Sequence, residues 1–148
     1  MNKQTLWIPL FLIAMVAGAA VSTRAQAAYG VRADVPFDFV VGDKTIPAGR
    51  IAADGVSTAV RGSLSITNLA NGKLALRAGR TLLGAGRTNQ CKLVFHQYGT
   101  RYFLAEIWRA GYQPWEVMKS KEERSLERNM RLVKNFKPEQ VIVAATMQ

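Results

Sequence analysis

One cysteine and one histidine are the residues of this chain best suited to nucleophilic chemistry. Cys91 and His96 lie five positions apart in a run of strand-forming residues. Because side chains alternate between the two faces of a strand, an odd separation directs them to opposite faces. We therefore expect no Cys-His dyad, and one histidine with one cysteine is too few ligands for an ordinary zinc site.

Carboxylates are the second group that could do chemistry. Asp34 and Asp38 fall on the polar face of one predicted strand, and Glu106 is predicted to lie opposite Lys92 in a hairpin. They could bind a hard cation or act as acid and base, but the sequence has no Asp-rich calcium loop. A solvated strand face and a cross-strand ion pair are the simpler interpretation. A carboxylate-based hydrolase or isomerase stays open as an alternative function.

The glycines at Gly84 and Gly86 are the closest approach to a cofactor motif. A phosphate-binding loop needs a third glycine or a Lys-Ser/Thr pair and a helix that begins there. Neither follows Gly86 in the sequence. We therefore predict no cofactor, no metal and no enzymatic activity.

The distribution of charge is the most informative anomaly. The chain has 20 basic and 10 acidic residues, and from Gly55 to Ala105 there is no acid at all. The same stretch carries seven cations, which predict a surface with a positive field. They are Arg61, Lys73, Arg77, Arg80, Arg87, Lys92 and Arg101. The binding hypothesis is capture of an anionic envelope component or protein, and the alternative is that these charges only keep the fold soluble.

Three aromatic residues lie in or beside the loop that precedes the predicted helix. Trp108, Tyr112 and Trp115 could stack on a sugar ring or on a protein partner. Alternatively they hold the helix against the sheet. Nucleic acid is not expected as a partner, because no recognition motif is present.

The first 27 residues have the three parts of a secretory signal peptide. A basic start at Lys3 is followed by an apolar run from Leu6 to Val21 and by the small-x-small sequence Ala25-Gln26-Ala27. The apolar run is shorter than the roughly 20 residues that span a membrane as a helix. We predict cleavage after Ala27, no transmembrane anchor afterwards, and a periplasmic or secreted bacterial protein with one domain over residues 28–148.

Alternating side chains predict a half-buried strand from Val31 to Val41. Its odd-numbered residues are apolar or small, whereas polar residues such as Arg32 face the other way. Pro36 has no N–H for a ladder, which indicates an edge position or a bulge. Arg50 to Val60 has no clear pattern.

Two hairpins are predicted after this strand, each with a three-residue loop. In the first, the loop Ala70–Gly72 puts Gly72 in the left-handed conformation of a bulge. Its interior face would consist of Leu64, Ile66, Leu74, Leu76 and Ala78. In the second, the loop is Tyr98–Thr100. Its interior face would consist of Cys91, Leu93, Phe95, Phe103, Ala105 and Ile107.

A change of period after Trp108 predicts one amphipathic helix. Ser120 and Glu123 have the spacing of a capping box, and apolar residues then follow at helical intervals over Lys121 to Lys134. A short apolar strand from Val141 to Ala145 follows. We predict a mainly β domain, a β-sandwich or small barrel of antiparallel hairpins, with one C-terminal helix packed on it.

Three segments resemble a group of small exported hypothetical proteins from acidobacterial genomes. They are VPFDFVVGDKTIPAG at Val35 to Gly49, KLVFHQYGTRYFLAEIW at Lys92 to Trp108 and KSKEERSLER at Lys119 to Arg128. The resemblance implies an exported β domain and supplies no catalytic or binding residues. The sequence thus predicts a non-enzymatic binding or structural module of the cell envelope. An accessory protein that docks through its helix is the second alternative.

Overall fold

The computed structural model describes residues 30–56, 62–133 and 136–148. Within these ranges the chain forms ten strands and one helix, α1 (Lys121–Val133). The strands are β1 (Val31–Val35), β2 (Phe39–Val41), β3 (Lys44–Ile46), β4 (Gly49–Val56), β5 (Ser63–Asn68), β6 (Leu74–Thr81), β7 (Cys91–Tyr98), β8 (Arg101–Trp108), β9 (Trp115–Val117) and β10 (Glu139–Met147).

Eight of the strands close into an antiparallel barrel. Around the ring their order is β1, β4, β5, β6, β9, β8, β7 and β10, and the pairing of β10 with β1 completes the circle. This confirms the predicted mainly β fold with a C-terminal helix, which is the one helix within the described ranges. Of the two architectures predicted, the domain adopts the barrel.

The wall between β6 and β8 is built from two short pieces. At one end β9 pairs with both strands, as in the pair Ile107 and Trp115. At the other end the hairpin β2–β3 fills the gap, with Val40 beside Phe103 and the Lys44 ammonium donating to the carbonyl of Leu74 (3.2 Å). Both pieces complete the barrel where β6 and β8 do not pair directly.

Alternate side chains fill the interior of the barrel. Val31, Ala33 and Val35 of β1 are at most 5% exposed. Phe37 and Phe39 both contact the ring of Phe95 edge to face, with centroids 5.2 and 5.1 Å apart. A barrel of eight strands is just wide enough for side chains to fill. A binding site is therefore to be sought on the outer surface or at the ends.

The hairpin β7–β8 turns through two residues. Tyr98 pairs directly with Arg101, so only Gly99 and Thr100 lie in the turn. Gly99 has φ +64°, which glycine adopts without steric cost. The predicted three-residue loop from Tyr98 to Thr100 is therefore wrong.

A bulge further along this hairpin restores an apolar interior. Val94 pairs with Glu106 whereas Phe95 pairs with Leu104, so β8 contributes Ala105 as an extra residue. A bulge of this kind shifts the faces of all residues on one side of it. The prediction assigned one register to the whole hairpin and did not include the bulge.

The faces of β8 change accordingly. Leu93, Phe95 and Ile107 lie in the interior as predicted, and each is fully buried. The predicted interior position of Phe103 is wrong, because this ring lies in a separate cluster on the helix side of the barrel. Leu104 occupies the interior instead.

The hairpin β5–β6 turns through four residues, Leu69–Gly72. The backbone N–H of Asn68 donates to the carbonyl of Lys73 (2.9 Å) and closes the loop. The predicted three-residue loop is wrong, although Gly72 has the predicted left-handed conformation with φ +70°.

The different loop length changes the interior face of this hairpin. Ile66 pairs with Ala75, and both lie in the core together with Leu64. Leu74 and Leu76, predicted to be interior, are 42% and 62% exposed. A shift of one residue in register is enough to move a whole apolar set to the other face.

The predicted strand from Val31 to Val41 is divided at Pro36. β1 ends at Val35, and the chain crosses to a different position in the sheet before β2 begins. This fits the missing N–H of Pro36, which cannot extend a ladder. The unclear stretch from Arg50 to Val60 forms most of β4, and residues 57–61 lie outside the described ranges.

The helix α1 begins at Lys121 as predicted and is described as far as Val133. The predicted last residue, Lys134, lies outside the described ranges, as does the predicted signal peptide. Among the described helical residues, no segment has the length and apolar character needed to cross a membrane.

Candidate functional site

The start of α1 is fixed by a cap and by an arginine. The backbone N–H of Glu123 donates to the hydroxyl of Ser120 (3.0 Å), which is the first half of the predicted capping box. Arg77 of β6 donates through Nε and Nη2 to the carbonyls of Met118 and Lys119, both at 2.9 Å. The helix is therefore tied to the barrel before its first turn.

The carboxylate of Glu123 forms a buried polar cluster beneath the helix. Glu123 is 3% exposed, and its Oε1 contacts Nδ1 of His96 (3.2 Å) and accepts a hydrogen bond from the hydroxyl of Tyr98 (3.4 Å). Burial, and then the negative charge of Glu123, raise the pKa of Tyr98. The carboxylate thus connects the helix to β7 instead of reaching back to the cap.

Apolar contacts complete the seat of the helix. Three buried residues on the outside of the barrel form a cluster of their own, and three partly buried residues from α1 and the chain after it pack against them. The barrel residues are Val40, Tyr98 and Phe103, and the packed residues are Leu126, Met130 and Phe136. Because these packed residues keep part of their surface exposed, they bury only part of their apolar area. The polar cluster of Glu123 therefore contributes a substantial share of the attachment of α1 to the barrel.

Four cations follow one another along the exposed face of α1, and we call them the basic face. They are Lys121, Arg124, Arg128 and Arg131. Their spacing of three and four residues places them in one row on the helix. All four are exposed, and the acidic residues of α1 lie outside the row. Arg124 donates to the carbonyl of Lys119 (2.9 Å), a neutral acceptor that leaves its charge uncompensated.

Glu127 lies at the margin of the basic face, and both of its carboxylate oxygens are already paired with basic side chains. Lys119 Nζ lies 2.9 Å from its Oε2, and Arg131 Nη2 lies 2.6 Å from its Oε1. The hydrogen bond from Lys119 is the largest cause that holds the pKa of Glu127 below its usual value. A shallow depression of about 400 Å³ lies between Arg124, Glu127, Arg128 and Arg131. An anion placed there would meet three guanidinium groups.

Three of the cations predicted from the sequence lie on or beside β6 and point to different places. Lys73 is exposed beside the β5–β6 turn. Arg77 is used in holding Met118 and Lys119, as described above. Arg80 is paired with Glu116 of β9. Two of these three cations therefore already have partners within the fold.

The remaining predicted cations are similarly dispersed. Arg87 is exposed in the loop between β6 and β7. The Lys92 ammonium lies 4.5 Å from the ring centroid of Trp108. Arg101 forms an ion pair with Glu122 of α1 at 2.6 Å. Arg61 lies outside the described residues.

The predicted pair of Lys92 and Glu106 is not formed. Lys92 lies opposite Trp108, and Glu106 lies opposite Val94. The carboxylate of Glu106 accepts a hydrogen bond from the indole N–H of Trp108 at 2.7 Å. The ion-pair prediction was wrong because it assumed a three-residue loop and no bulge, and together these two differences shift the partner of Lys92 by two residues, from Glu106 to Trp108.

Two of the three predicted aromatic residues have structural contacts at the end of the barrel. Trp115 lies so close to Gly55 that a Cβ at Gly55 would be 2.6 Å from the indole. The Arg109 guanidinium lies 3.4 Å from the centroid of Trp115 and 5.0 Å from that of Tyr112. Burial lowers the pKa of Arg109, which is 7% exposed. These contacts close the barrel end, whereas Trp108 lies near Lys92.

The carboxylates considered for catalysis are separated. Asp34 lies 3.5 Å from Arg50 in an exposed pair on the wall of the barrel. Asp38 accepts the backbone N–H of Ala48 (2.8 Å) and so stabilises the turn before β4. Glu106 is on β8. The structure does not bring these three groups into one pocket.

Cys91 and His96 likewise have separate surroundings. The sulfur of Cys91 accepts the backbone N–H of Ala110 (3.3 Å), while His96 contacts Glu123 under the helix. Among the residues that the structure describes, no three histidine, cysteine or acidic side chains are grouped so that they could hold a metal ion.

The basic face was missed by the sequence analysis, although the sequence contains its signal. The helical period was applied only to the apolar residues of the predicted helix. The same period applied to cations would have selected Lys121, Arg124, Arg128 and Arg131. The burial of Glu123 has no comparable signal, because its spacing from Ser120 is explained by a capping box alone.

Comparison with protein-family models, curated proteins and solved structures finds no match to this chain.

Proposed function

We propose that this protein is an exported, non-enzymatic binding module that captures an anionic partner through the basic face of α1. The single observation that carries the proposal is the row of four exposed cations on a helix whose opposite side is fastened to the barrel. A fixed row of like charges presents a positive potential without the entropy cost of ordering a flexible tail.

The separation of the carboxylates supports binding over hydrolysis. Asp34, Asp38 and Glu106 each have a local structural partner, and a mechanism that uses a pair of carboxylates as acid and base needs both groups within reach of one substrate. Export is proposed on the signal-peptide features of the first 27 residues. After the predicted cleavage removes Lys3 and Arg24, the chain keeps 18 basic and 10 acidic residues, and a protein with this formal net charge of +8 attracts anionic partners.

The test is a salt series of binding to immobilised dextran sulfate. The variant replaces Lys121, Arg124, Arg128 and Arg131 with glutamine, which keeps good helix propensity while it removes four charges. We expect this variant to elute at a clearly lower salt concentration than the wild-type protein, because fewer counterions are released on binding.

The control has the same loss of charge elsewhere on the molecule. Four exposed cations away from the basic face are replaced with glutamine: Arg32, Lys73, Arg87 and Lys137. This control should elute close to the wild type. If the two variants elute together, binding depends on total charge and the proposal is wrong. If the control alone loses binding, the proposal is wrong and the four cations replaced in the control become the better candidate.

A further inference from the structure

The basic face ends in an exposed leucine. Leu132 is 87% exposed and follows Arg128 by four residues, which places it on the same side of the helix. The helix thus combines a row of cations with an apolar end that the barrel does not cover.

From this combination we propose that the anionic partner is the surface of a lipid bilayer with anionic headgroups, and this inference rests on the proposed function. A bilayer offers both chemistries that the helix presents. Phosphate groups lie at the level of the cations, and acyl chains begin a few ångströms below, where Leu132 would insert. Helices that lie in the membrane interface use this arrangement of basic and apolar residues.

The geometry of the helix suits a flat surface. From Lys121 to Arg131 the row is about 15 Å long at the usual helical rise. It lies on the side of α1 opposite to the contacts of Leu126 and Met130 with the barrel. The cations can therefore approach a plane together while the barrel stays on the far side of the helix.

A soluble polyanion would use the cations but would gain nothing from Leu132. An acidic protein could use both, but it would need an apolar pocket at one end of its acidic patch. The bilayer requires no such match. The distinguishing feature is therefore the contribution of Leu132 to binding, measured separately on a bilayer and on a soluble polyanion.

The experiment measures cosedimentation of the exported chain, residues 28–148, with two kinds of vesicle, because the apolar run from Leu6 to Val21 would bind to any bilayer. One is pure phosphatidylcholine, and the other is an equimolar mixture of phosphatidylcholine and phosphatidylglycerol. Binding of dextran sulfate is measured in parallel. We expect binding to the mixed vesicles, with little binding to pure phosphatidylcholine. Each cation of the basic face replaced with glutamine should lower the affinity for mixed vesicles roughly fivefold.

The apolar contribution is tested with a matched pair of leucines. Leu132→Ser should weaken binding to mixed vesicles roughly tenfold and leave dextran sulfate binding unchanged. Leu83→Ser is the control, because Leu83 is 86% exposed in a loop away from the helix. This control should change neither affinity. Circular dichroism of both variants checks that the fold is intact.

The outcomes separate the two proposals. If the wild-type protein binds dextran sulfate but not mixed vesicles, the bilayer is wrong and the proposed function stands. If it binds neither, both are wrong. If the protein binds mixed vesicles but Leu132→Ser does not weaken this binding, the inference is wrong. It is also wrong if Leu83→Ser weakens vesicle binding as much as Leu132→Ser does. A loss of dextran sulfate binding in Leu132→Ser would also contradict the inference, because this polyanion offers no apolar contact.

Discussion

Removing the carboxylate of Glu123 should loosen the helix from the barrel. In Glu123→Ala, the hydroxyl of Tyr98 loses the acceptor at 3.4 Å and the ring of His96 loses the contact at 3.2 Å. Tyr98 is 2% exposed, so water cannot easily replace the lost acceptor. The Tyr98 hydroxyl and the His96 ring would then stay buried without the hydrogen-bond partner that offsets the free-energy cost of removing them from water.

The expected loss of stability follows from the two contacts. Hydrogen bonds to a charged group contribute about 1.5 to 3 kcal/mol each, and the length of both contacts favours the lower end. We therefore expect Glu123→Ala to lower the free energy of unfolding by about 3 kcal/mol. Glu123→Gln keeps an acceptor oxygen and should cost about 1 kcal/mol.

A neighbouring glutamate supplies the control. Glu122 is in the same turn of α1 but is exposed, and it pairs with Arg101 on the surface. Because exposed ion pairs contribute little, Glu122→Ala should cost less than about 1 kcal/mol. Both alanine variants lose one acid from the first turn, so the effect on the helix dipole is matched.

Urea unfolding followed by circular dichroism measures these differences. A second readout is the absorbance of tyrosinate during alkaline titration. The negative charge of Glu123 is one of the causes that raise the pKa of Tyr98, so this pKa should fall in Glu123→Ala, with Tyr98→Phe used to assign the signal. If Glu123→Ala costs no more than Glu122→Ala and the titration is unchanged, the cluster does not anchor the helix.

Two further predictions concern the barrel end and the margin of the basic face. Gly55→Ala should lower the free energy of unfolding by about 2 kcal/mol, because the added methyl group overlaps with Trp115. In a Trp115→Leu background the same change should cost almost nothing. A double-mutant cycle of urea unfolding measures both costs, and equal values would contradict this prediction. Because cations lower the pKa of Glu127, its stabilisation is present above about pH 4.3 and is lost as the pH falls through the lowered value. The stability difference between wild type and Glu127→Gln should therefore be constant near neutral pH and vanish at acid pH, and a difference that grows on acidification would refute the assignment.

Residue periodicity was sufficient to predict the class of fold and the position of most strands. The alternation from Val31 to Val35 and the apolar spacing after Ser120 are local signals that tertiary contacts did not override. The existence of both hairpins follows from the turn residues. The class of the domain and its single helix could thus be predicted without the structure.

Register could not be predicted to the same degree. A bulge at Ala105 changes which side chains face the core, and nothing in the local sequence requires an extra residue there. Phe103 also has an apolar environment on either side of the sheet, because α1 covers the outside. Because the ring of Phe103 can be buried on either side of the sheet, the alternation of apolar residues does not show which side it faces.

The candidate site was only partly predictable for a different reason. The count of cations between Gly55 and Ala105 was correct, but pairing depends on neighbours that are distant in sequence. Arg80 meets Glu116 across a strand pair, and Arg101 meets Glu122 across the interface with the helix. The number of cations in the sequence is therefore larger than the number of cations that have no acidic partner on the surface.

The position of β10 has a consequence for the order of events during synthesis. This strand, Glu139–Met147, fills the place between β7 and β1, so the ring cannot close before β10 itself has been synthesised. Removal of β10 should leave two unsatisfied strand edges and a protein that aggregates.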